Sequence, residues 1–244
     1  MRKEFLKQAL QALLSSLGYR LERIGFADRE IGMGACLKGL ASRNFHPRLV
    51  LDIGAATGEW TRLALGYWPR ARYFLMEPLE ERRTRLAELS REHSNVRFVL
   101  SAAGARSGEL PIGIVPNDLD GSSFLYTDVS RLVSVRAIDD LLISGEVEQP
   151  QFMKIDVQGY ERNVLKGAEQ TISNCPLILL ECQLFPFEPS MWLVHESVAW
   201  MRDHGFRPYE VVDVLRRPYD GAMGQCDLLF VRENHWLVSS NSWR

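Results

Sequence analysis

The chain has 244 residues, of which 46% are hydrophobic and 25% charged. This composition is typical of an ordinary globular protein and excludes a disordered or low-complexity chain. The 29 basic and 31 acidic side chains nearly cancel, so bulk charge does not favour a nucleic-acid partner.

The first 46 residues are predicted to form a helical extension. Apolar residues recur at helical spacing over residues 5–17, which indicates an amphipathic helix that ends at Gly18. Its apolar stripe is expected to pack on the domain or to join two copies in a homodimer, with contact to a membrane surface as the alternative. A second helix is predicted over Met33–Ser42.

Cysteine use and hydropathy predict the cellular compartment. The four cysteines are dispersed and form no C-x-x-C pair, which is typical of reduced thiols. Charged residues interrupt the N-terminal apolar positions, and no later apolar run reaches membrane-spanning length. We therefore expect a cytoplasmic protein without an integral membrane segment.

After Pro47, short apolar runs alternate with longer amphipathic stretches, which is typical of βαβ units and a parallel sheet. In chain order the pattern predicts strand 48–54, helix 59–68, strand 71–77, helix 79–92, strand 95–104, strand 151–157, helix 161–172, strand 176–182 and helix 192–204. Between them, residues 108–136 are predicted to be an insertion around a polar loop. The last two strands, 206–214 and 226–233, are separated only by a turn. They predict a closing antiparallel hairpin in a mixed sheet.

The stretch "LVLDIGAATGEW" (residues 49–60) covers the first strand and the loop after it, where open α/β sheets bind ligands. Counted from Gly54, the dinucleotide fingerprint requires two further glycines, but the chain has Ala56 and Glu59 there. No Gly-Lys-Ser/Thr follows, so a phosphate-binding loop is also disfavoured. An NAD-dependent oxidoreductase is therefore the weaker of the enzyme alternatives.

An acidic residue, Glu77, ends the second predicted strand and is followed by Pro78. A carboxylate at this place can accept hydrogen bonds from both hydroxyls of a ribose, while Gly54 and Gly58 allow the backbone to approach a ligand closely. The pattern favours a ligand that contains a ribose and needs no pyrophosphate. S-adenosylmethionine fits this description.

The stretch "FMKIDVQGYERNVLKGAEQ" places charges inside a predicted strand. Lys154 and Asp156 alternate with Ile155 and therefore share one face of the sheet. Charges inside an apolar strand are costly unless they are paired or used. The alternatives are a catalytic role and an ion pair of Lys154 with Asp156 or Glu161 that closes the turn into the next helix.

The chain resembles the FkbM-type S-adenosylmethionine-dependent methyltransferases over residues 49–181 and onward. The resemblance rests on "VLDIGAATGEWT", "FLMEP", "SAAG", "GSS", "VRAIDDLL", "MKIDVQGYERNVLKGAE" and "PLILLE". Two positions depart from the usual motifs, with Ala56 in place of asparagine and Gln158 in place of glutamate. The resemblance implies a Rossmann-like class I fold over residues 47–244, with a mostly parallel seven-stranded sheet, a terminal antiparallel strand and helices on both faces.

The resemblance also implies S-adenosyl-L-methionine as cofactor and O-methylation of a sugar or natural-product hydroxyl. The cofactor-binding residues are then expected to be Asp52, Gly54, Ala55, Gly58, Glu77, Pro78, Ser101, Ala102 and Asp156. Asp156 is the first choice for the base that takes the hydroxyl proton. The alternatives are Glu161, Glu181 and His195, and Lys154 is expected to keep Asp156 ionised or to contact the acceptor oxygen.

The acceptor is expected to bind between the insertion and the segment after the fifth predicted strand, through Ser122, Ser123, Tyr126 and Phe185. A Mg²⁺ ion on Asp156, Glu161 and Glu181 is chemically reasonable, but no spacing demands it, and no metal ligands are assigned. Because Ala56 and Gln158 depart from the motifs, a non-catalytic cofactor-binding or scaffold module is the remaining alternative.

Overall fold

The computed structural model describes residues 32–115, 119, 122–125, 130–188 and 190–242. The amphipathic helix predicted over residues 5–17, with its homodimer or membrane contact, lies outside the described residues, and so does Tyr126. In the described part of the chain, the longest apolar helices are too short to cross a bilayer.

The helices are α1 (Met33–Ser42), α2 (Glu59–Tyr67), α3 (Arg83–Glu92), α4 (Ile138–Ile143), α5 (Glu161–Lys166), α6 (Glu169–Ser173) and α7 (Val194–Asp203), with 3-10 turns at Glu80–Arg82 and Trp236–Val238. The strands are β1 (Leu49–Ile53), β2 (Arg72–Glu77), β3 (Val96–Leu100), β4 (Ala102–Ala103), β5 (Gly108–Gly113), β6 (Ser130–Arg136), β7 (Phe152–Ile155), β8 (Leu177–Gln183), β9 (Phe206–Arg216) and β10 (Met223–Arg232).

Seven strands form the main sheet in the order β3-β2-β1-β7-β8-β10-β9. The first five are parallel, and β10 is antiparallel to both β8 and β9. The predicted seven-stranded, mostly parallel sheet and its closing hairpin are therefore confirmed. The reversed strand β10 lies between β8 and β9, so the hairpin places its last strand inside the sheet and β9 at the edge.

Both faces of the sheet carry an apolar core. In β1, Leu49, Leu51 and Ile53 pack into one core, while Val50 packs into the core on the opposite face. Every residue of β1 is buried because helices cover both faces, as parallel sheets require. Helix α1 packs into the second core, and the division predicted at residue 46 stays a prediction.

Two predicted elements are interrupted. The helix predicted over residues 161–172 breaks at Gly167, where an added Cβ would lie 2.0 Å from the carbonyl oxygen of Gly104. The strand predicted over residues 95–104 divides at Ser101, because β4 leaves the main sheet and pairs with β6. Strands β4, β6 and β5 form a second sheet, in which β5 and β6 come from residues 108–136 and β4 comes from the chain before them. The insertion stays a prediction.

Candidate active site

The loops at the carboxyl ends of the parallel strands surround a cavity of about 650 Å³. This volume lies within the usual range of small-molecule and cofactor sites. Among the residues predicted to form the site, the cavity is lined by Gly54, Ala55, Glu77, Pro78, Ala102, Ser122, Ser123, Lys154 and Asp156. The structure therefore brings the loop after β1, the end of β2, the insertion and the end of β7 to one place.

Glycine is required at two positions of the loop after β1. Gly54 has φ +76°, and a Cβ there would lie 1.8 Å from the carbonyl oxygen of Asp156. Gly58 has φ +82° and precedes α2, where a Cβ would meet Leu89 at 2.6 Å. The close approach at Gly54 is thus between two backbone segments of the protein itself.

Ala56 adopts a left-handed backbone conformation with φ +46°. Its amide donates a 2.9 Å hydrogen bond to Oε2 of Glu77. Glycine and asparagine tolerate this region better than alanine, which pays a steric cost for its Cβ. The departure from the usual motif residue therefore falls at a strained backbone position.

The variant Ala56→Gly is expected to raise the free energy of unfolding by about 0.5–1 kcal/mol, because it removes the left-handed steric cost. Urea unfolding measures the change. The same substitution in the middle of helix α3, Ala87→Gly, serves as control. It is expected to lower the stability by about 1 kcal/mol, and a loss of stability in both variants would contradict the strain at Ala56.

Glu77 is a buried carboxyl at the end of β2. Its two oxygens accept hydrogen bonds of 2.9 Å from the amides of Ala56 and Leu79. Burial raises the pKa of Glu77, and these two amides oppose the shift. Each carboxylate oxygen keeps a second lone pair, so Glu77 is fixed in orientation and can still accept hydrogen bonds from a ligand.

Asp52, on β1, is completely buried and is not among the residues that line the cavity. The Thr61 hydroxyl donates a 2.6 Å hydrogen bond to its Oδ2, and Nζ of Lys154 lies 3.5 Å from its Oδ1. Burial raises the pKa of Asp52, against the opposing effects of Lys154 and Thr61. The Asp52 carboxyl group is thus engaged by Thr61 and Lys154, and its predicted role in cofactor binding stays a prediction.

Lys154 connects the two sequence motifs. Its Nζ lies 3.0 Å from Oδ2 of Asp156 and donates a 3.3 Å hydrogen bond to the carbonyl of Gly54. Burial alone lowers the pKa of Lys154, but Asp156 and Asp52 outweigh it, and the net shift is upward. The lysine is therefore a protonated, buried cation. Its ion pair with Asp156 corresponds to one of the alternatives considered from sequence, the other being a catalytic role.

Glu181 lies on β8 next to the end of β7. Its Oε1 accepts hydrogen bonds from the side-chain amides of Gln225, at 2.5 Å, and Gln158, at 3.3 Å. Gln158 also donates to Oδ1 of Asp156 at 3.2 Å, so one neutral amide bridges two carboxyl groups. Burial, followed by the charge of Asp156, raises the pKa of Glu181 well above its usual range.

Glu161 is held by backbone hydrogen bonds and is not among the residues that line the cavity. Its Oε1 accepts hydrogen bonds from the amides of Val157, at 3.0 Å, and Gly159, at 3.1 Å. Burial raises the pKa of Glu161 to about 7. Its carboxyl group closes the turn before α5, which gives it a local role distinct from the base role considered from sequence.

Asp227 on β10 lines the cavity but was missed by the sequence analysis. Burial and the charge of Asp156 raise its pKa to about 7, and Lys154 opposes the shift. The sequence pattern that could have indicated Asp227 is a single acidic residue in the apolar run "CDLLFV". It is the same kind of signal that singled out Lys154 and Asp156.

Several predicted site residues lie away from the cavity wall. His195 is exposed in the first turn of α7. The ring of Phe185 lies under the guanidinium of Arg217 at 3.8 Å. Ser101 is buried and donates a 3.1 Å hydrogen bond to the Ser134 carbonyl.

The two serines of the insertion do line the cavity and also support the backbone. Ser123 donates a 2.7 Å hydrogen bond to the carbonyl of Gln158, which ties the insertion to the turn after β7. Ser122 accepts a 3.1 Å hydrogen bond from the amide of Val115. Their hydroxyl groups are therefore oriented by protein contacts at the edge of the cavity.

The carboxyl groups considered for Mg²⁺ do not form a ligand set. Asp156 contacts Lys154, and Glu161 accepts hydrogen bonds from the turn amides. Within the part of the chain that the structure describes, His, Cys, Asp and Glu form no group of three or more that could hold a metal ion. The residues present thus do not fit the ion.

The strand order, the reversed β10 and the ligand loop after β1 together define a class I methyltransferase-like fold. Residues 52–208 match the model of the methyltransferase FkbM domain, which covers more than half of the chain. The chain therefore belongs to the FkbM methyltransferase family.

A curated relative is the hexuronic acid methyltransferase AglP of Haloferax volcanii, with 29% identity over 113 residues. The match covers 46% of this chain and 47% of AglP, so it spans about half the length of the relative. Among solved structures, a methyltransferase FkbM from Methylobacillus flagellatus has a TM-score of 0.52 and 20% identity, over 75% of this chain and 43% of that one. A Methanococcus jannaschii fibrillarin has a TM-score of 0.50 and 10% identity, over 77% of this chain and 67% of that one. These two structures support the fold.

Proposed function

We propose that the protein is an S-adenosylmethionine-dependent O-methyltransferase that acts on a hydroxyl group of a sugar acceptor. The observation that carries the proposal is that one cavity brings Glu77 together with the Lys154–Asp156 pair. Glu77 is the type of group that binds a ribose, and the charged pair is the type of group that orients a hydroxyl. Membership of the FkbM family supports the reaction class.

The cavity fits the proposed cofactor in size and chemistry. Glu77 offers acceptor lone pairs to ribose hydroxyls, and its orientation is fixed by two backbone amides. S-adenosylmethionine, when bound, supplies a methyl group on a positively charged sulfur. The carboxyl groups of Asp156 and Asp227 on the cavity wall give that charge a favourable environment.

Positioning of the acceptor is the main contribution that the protein can make to such a displacement. Asp156 is held by Lys154 at 3.0 Å and is one-third exposed, so its carboxylate can accept a hydrogen bond from an acceptor hydroxyl. Asp156 and Asp227 repel a carboxylate at the same place. An acceptor with hydroxyl groups is therefore favoured at this end of the cavity, and the name of the relative AglP supports a hexuronic acid residue elsewhere in the acceptor.

Cofactor binding is tested with Glu77→Gln and Glu77→Ala by isothermal titration calorimetry with S-adenosylhomocysteine. We expect affinity to fall at least about 10- to 100-fold, because hydrogen bonds to a charged group are lost. Glu80→Ala is the matched control, since Glu80 is an exposed carboxyl three residues away. Binding that is retained in both Glu77 variants would overturn the site, and preferential binding of NAD would favour the oxidoreductase.

Methyl transfer is tested with p-nitrophenyl β-D-glucoside and p-nitrophenyl β-D-glucuronide, with products identified by mass spectrometry before and after mild alkali. We expect an alkali-stable methyl ether. An alkali-labile methyl ester would overturn transfer to a hydroxyl. S-adenosylhomocysteine binding without transfer to either glycoside would overturn the proposed activity and favour the non-catalytic module.

Replacement of Asp156 separates acceptor orientation from cofactor binding. In Asp156→Asn we expect kcat/KM to fall about 10- to 100-fold, since a hydroxyl group of the sugar loses its hydrogen bond to a charged group. Calorimetry with S-adenosylhomocysteine is expected to give a Kd close to that of the unmodified protein. Full activity of this variant would exclude a contact between Asp156 and the acceptor.

A further inference from the structure

Three carboxyl groups, Asp156, Glu181 and Asp227, lie side by side across neighbouring strands, and two of them, Asp156 and Asp227, line the cavity. Asp156 directly follows β7, which pairs with β8 up to Ile155 and Leu180. Glu181 is the next residue of β8, and it pairs in register with Asp227 of β10. Like charges at such positions destabilise a sheet, so the three groups are not expected to be ionised together at neutral pH.

Two of these carboxyl groups are already engaged. Asp156 accepts from Gln158 and is paired with Lys154. Glu181 is almost completely buried, and its Oε1 accepts from two amides. Its Oε2 has no hydrogen-bond partner among the described residues, which favours a protonated carboxyl there.

Asp227 differs from both neighbours because its side chain is not engaged. In the described parts of the chain, its carboxyl group makes no hydrogen bond and no ion pair, and it faces the cavity. The charged groups around it are Asp156 and Lys154 from the β7 side, Glu181 on β8 and Asp213 on β9. Burial and Asp156 raise the pKa of Asp227 to about 7, which is close to the best value for a base at neutral pH.

The role of general base was predicted from sequence for Asp156, which is paired with the Lys154 cation and accepts a hydrogen bond from Gln158. We propose instead that Asp227 is the catalytic base that removes the proton of the acceptor hydroxyl, while Asp156, held by Lys154, accepts a hydrogen bond from a second hydroxyl of the sugar and so positions the acceptor. This inference rests on the proposed function. It divides binding and proton transfer between two carboxyl groups on different strands.

In the transfer step, the acceptor hydroxyl loses its proton and its oxygen takes the methyl group. The acceptor oxygen forms a bond to the methyl carbon, and the bond from that carbon to sulfur breaks with its electron pair left on sulfur. The hydroxyl proton moves to a carboxylate oxygen of Asp227. The open cavity then lets Asp227 release this proton to water before the next turnover.

The first test compares Asp227→Asn with Asp156→Asn in the pH profile of kcat, with the p-nitrophenyl glycosides as acceptors. In the unmodified protein we expect kcat to rise with pH and level off above about 7, since Asp227 must be deprotonated. Asp227→Asn is expected to lose about 10²- to 10⁴-fold in kcat and to lose this dependence, with the Kd for S-adenosylhomocysteine unchanged within about twofold. Asp156→Asn is expected to keep the dependence, moved to lower pH, because the charge of Asp156 no longer raises the pKa of Asp227.

The matched control is Asp213→Asn on the edge strand β9, opposite Asp227. It is expected to keep kcat and to move the pH dependence slightly downward, because the charge of Asp213 also raises the pKa of Asp227. A pH dependence that survives in Asp227→Asn and disappears in Asp156→Asn would overturn the proposal. That result would leave methyl transfer itself intact.

The second test needs no acceptor and no cofactor. Carboxyl carbons of aspartate are labelled with ¹³C in the full chain, and their NMR shifts are followed from pH 4 to 9. The signal that is missing from Asp227→Asn is expected to titrate near pH 7. Titration at the ordinary value near 4 would overturn the assignment of Asp227 as base.

Discussion

The variant Gly54→Ala is expected to lower the free energy of unfolding by about 3–5 kcal/mol and to abolish S-adenosylhomocysteine binding. Its Cβ would lie 1.8 Å from the carbonyl oxygen of Asp156, and φ at this position is +76°. Since the opposing atom belongs to the backbone, the clash cannot be relieved by a rotamer change. The loop after β1 must move away from the end of β7, which opens the cavity wall.

Urea unfolding and calorimetry measure the two effects. Gly66→Ala is the matched control, because this exposed glycine lies in helix α2 and an added Cβ meets nothing within 4 Å. It is expected to gain up to about 1 kcal/mol from higher helix propensity. Native stability and normal cofactor affinity in Gly54→Ala would contradict the close packing of the two backbone segments.

The contact between Gly54 and Asp156 explains why the two sequence motifs act together. Strands β1 and β7 are parallel neighbours, and their registers end at Ile53 and Ile155. The residues that follow are therefore adjacent, and Lys154 connects them through the Gly54 carbonyl and the Asp156 carboxylate. A change in either motif is expected to alter the position of the other.

Local patterns predicted the parts of the fold that depend on neighbouring residues. Apolar runs gave the parallel strands, and two acids at strand ends, Glu77 and Asp156, both reached the cavity wall. At the helix break the backbone at Gly167 lies close to Gly104, far away in the chain, and local periodicity does not show such an approach. Periodicity alone describes residues 161–172 as one helix.

The roles of the site residues also depend on contacts between distant parts of the chain. Asp227 acquires its importance only when β10 lies beside β8, which places it in register with Glu181. The amide of Gln158 is likewise informative only because it reaches both Asp156 and Glu181. Sequence spacing identifies which acids lie at strand ends, but it does not show which of them are already paired.

The variant Lys154→Met is expected to lower the free energy of unfolding by about 3–5 kcal/mol at pH 7, because it leaves buried carboxyl groups without their cation. Asp52 is completely buried, with Nζ of Lys154 at 3.5 Å from its Oδ1. Arg72→Met is the matched control. Arg72 forms an exposed ion pair with Glu148, and its loss is expected to cost less than about 1 kcal/mol.

The free energy of unfolding lost in Lys154→Met is expected to increase as the pH rises. Burial raises the pKa of Asp52 in the folded protein above its unfolded value, so its contribution to stability is present at low pH and is lost as pH rises through the folded pKa. Without Lys154 the pKa of Asp52 rises further. Urea unfolding of Lys154→Met is therefore expected to show a larger deficit at pH 8 than at pH 5, whereas the deficit of Arg72→Met stays small at both. A deficit of Lys154→Met that is equal at the two pH values would show that the lysine contributes packing rather than charge to this site.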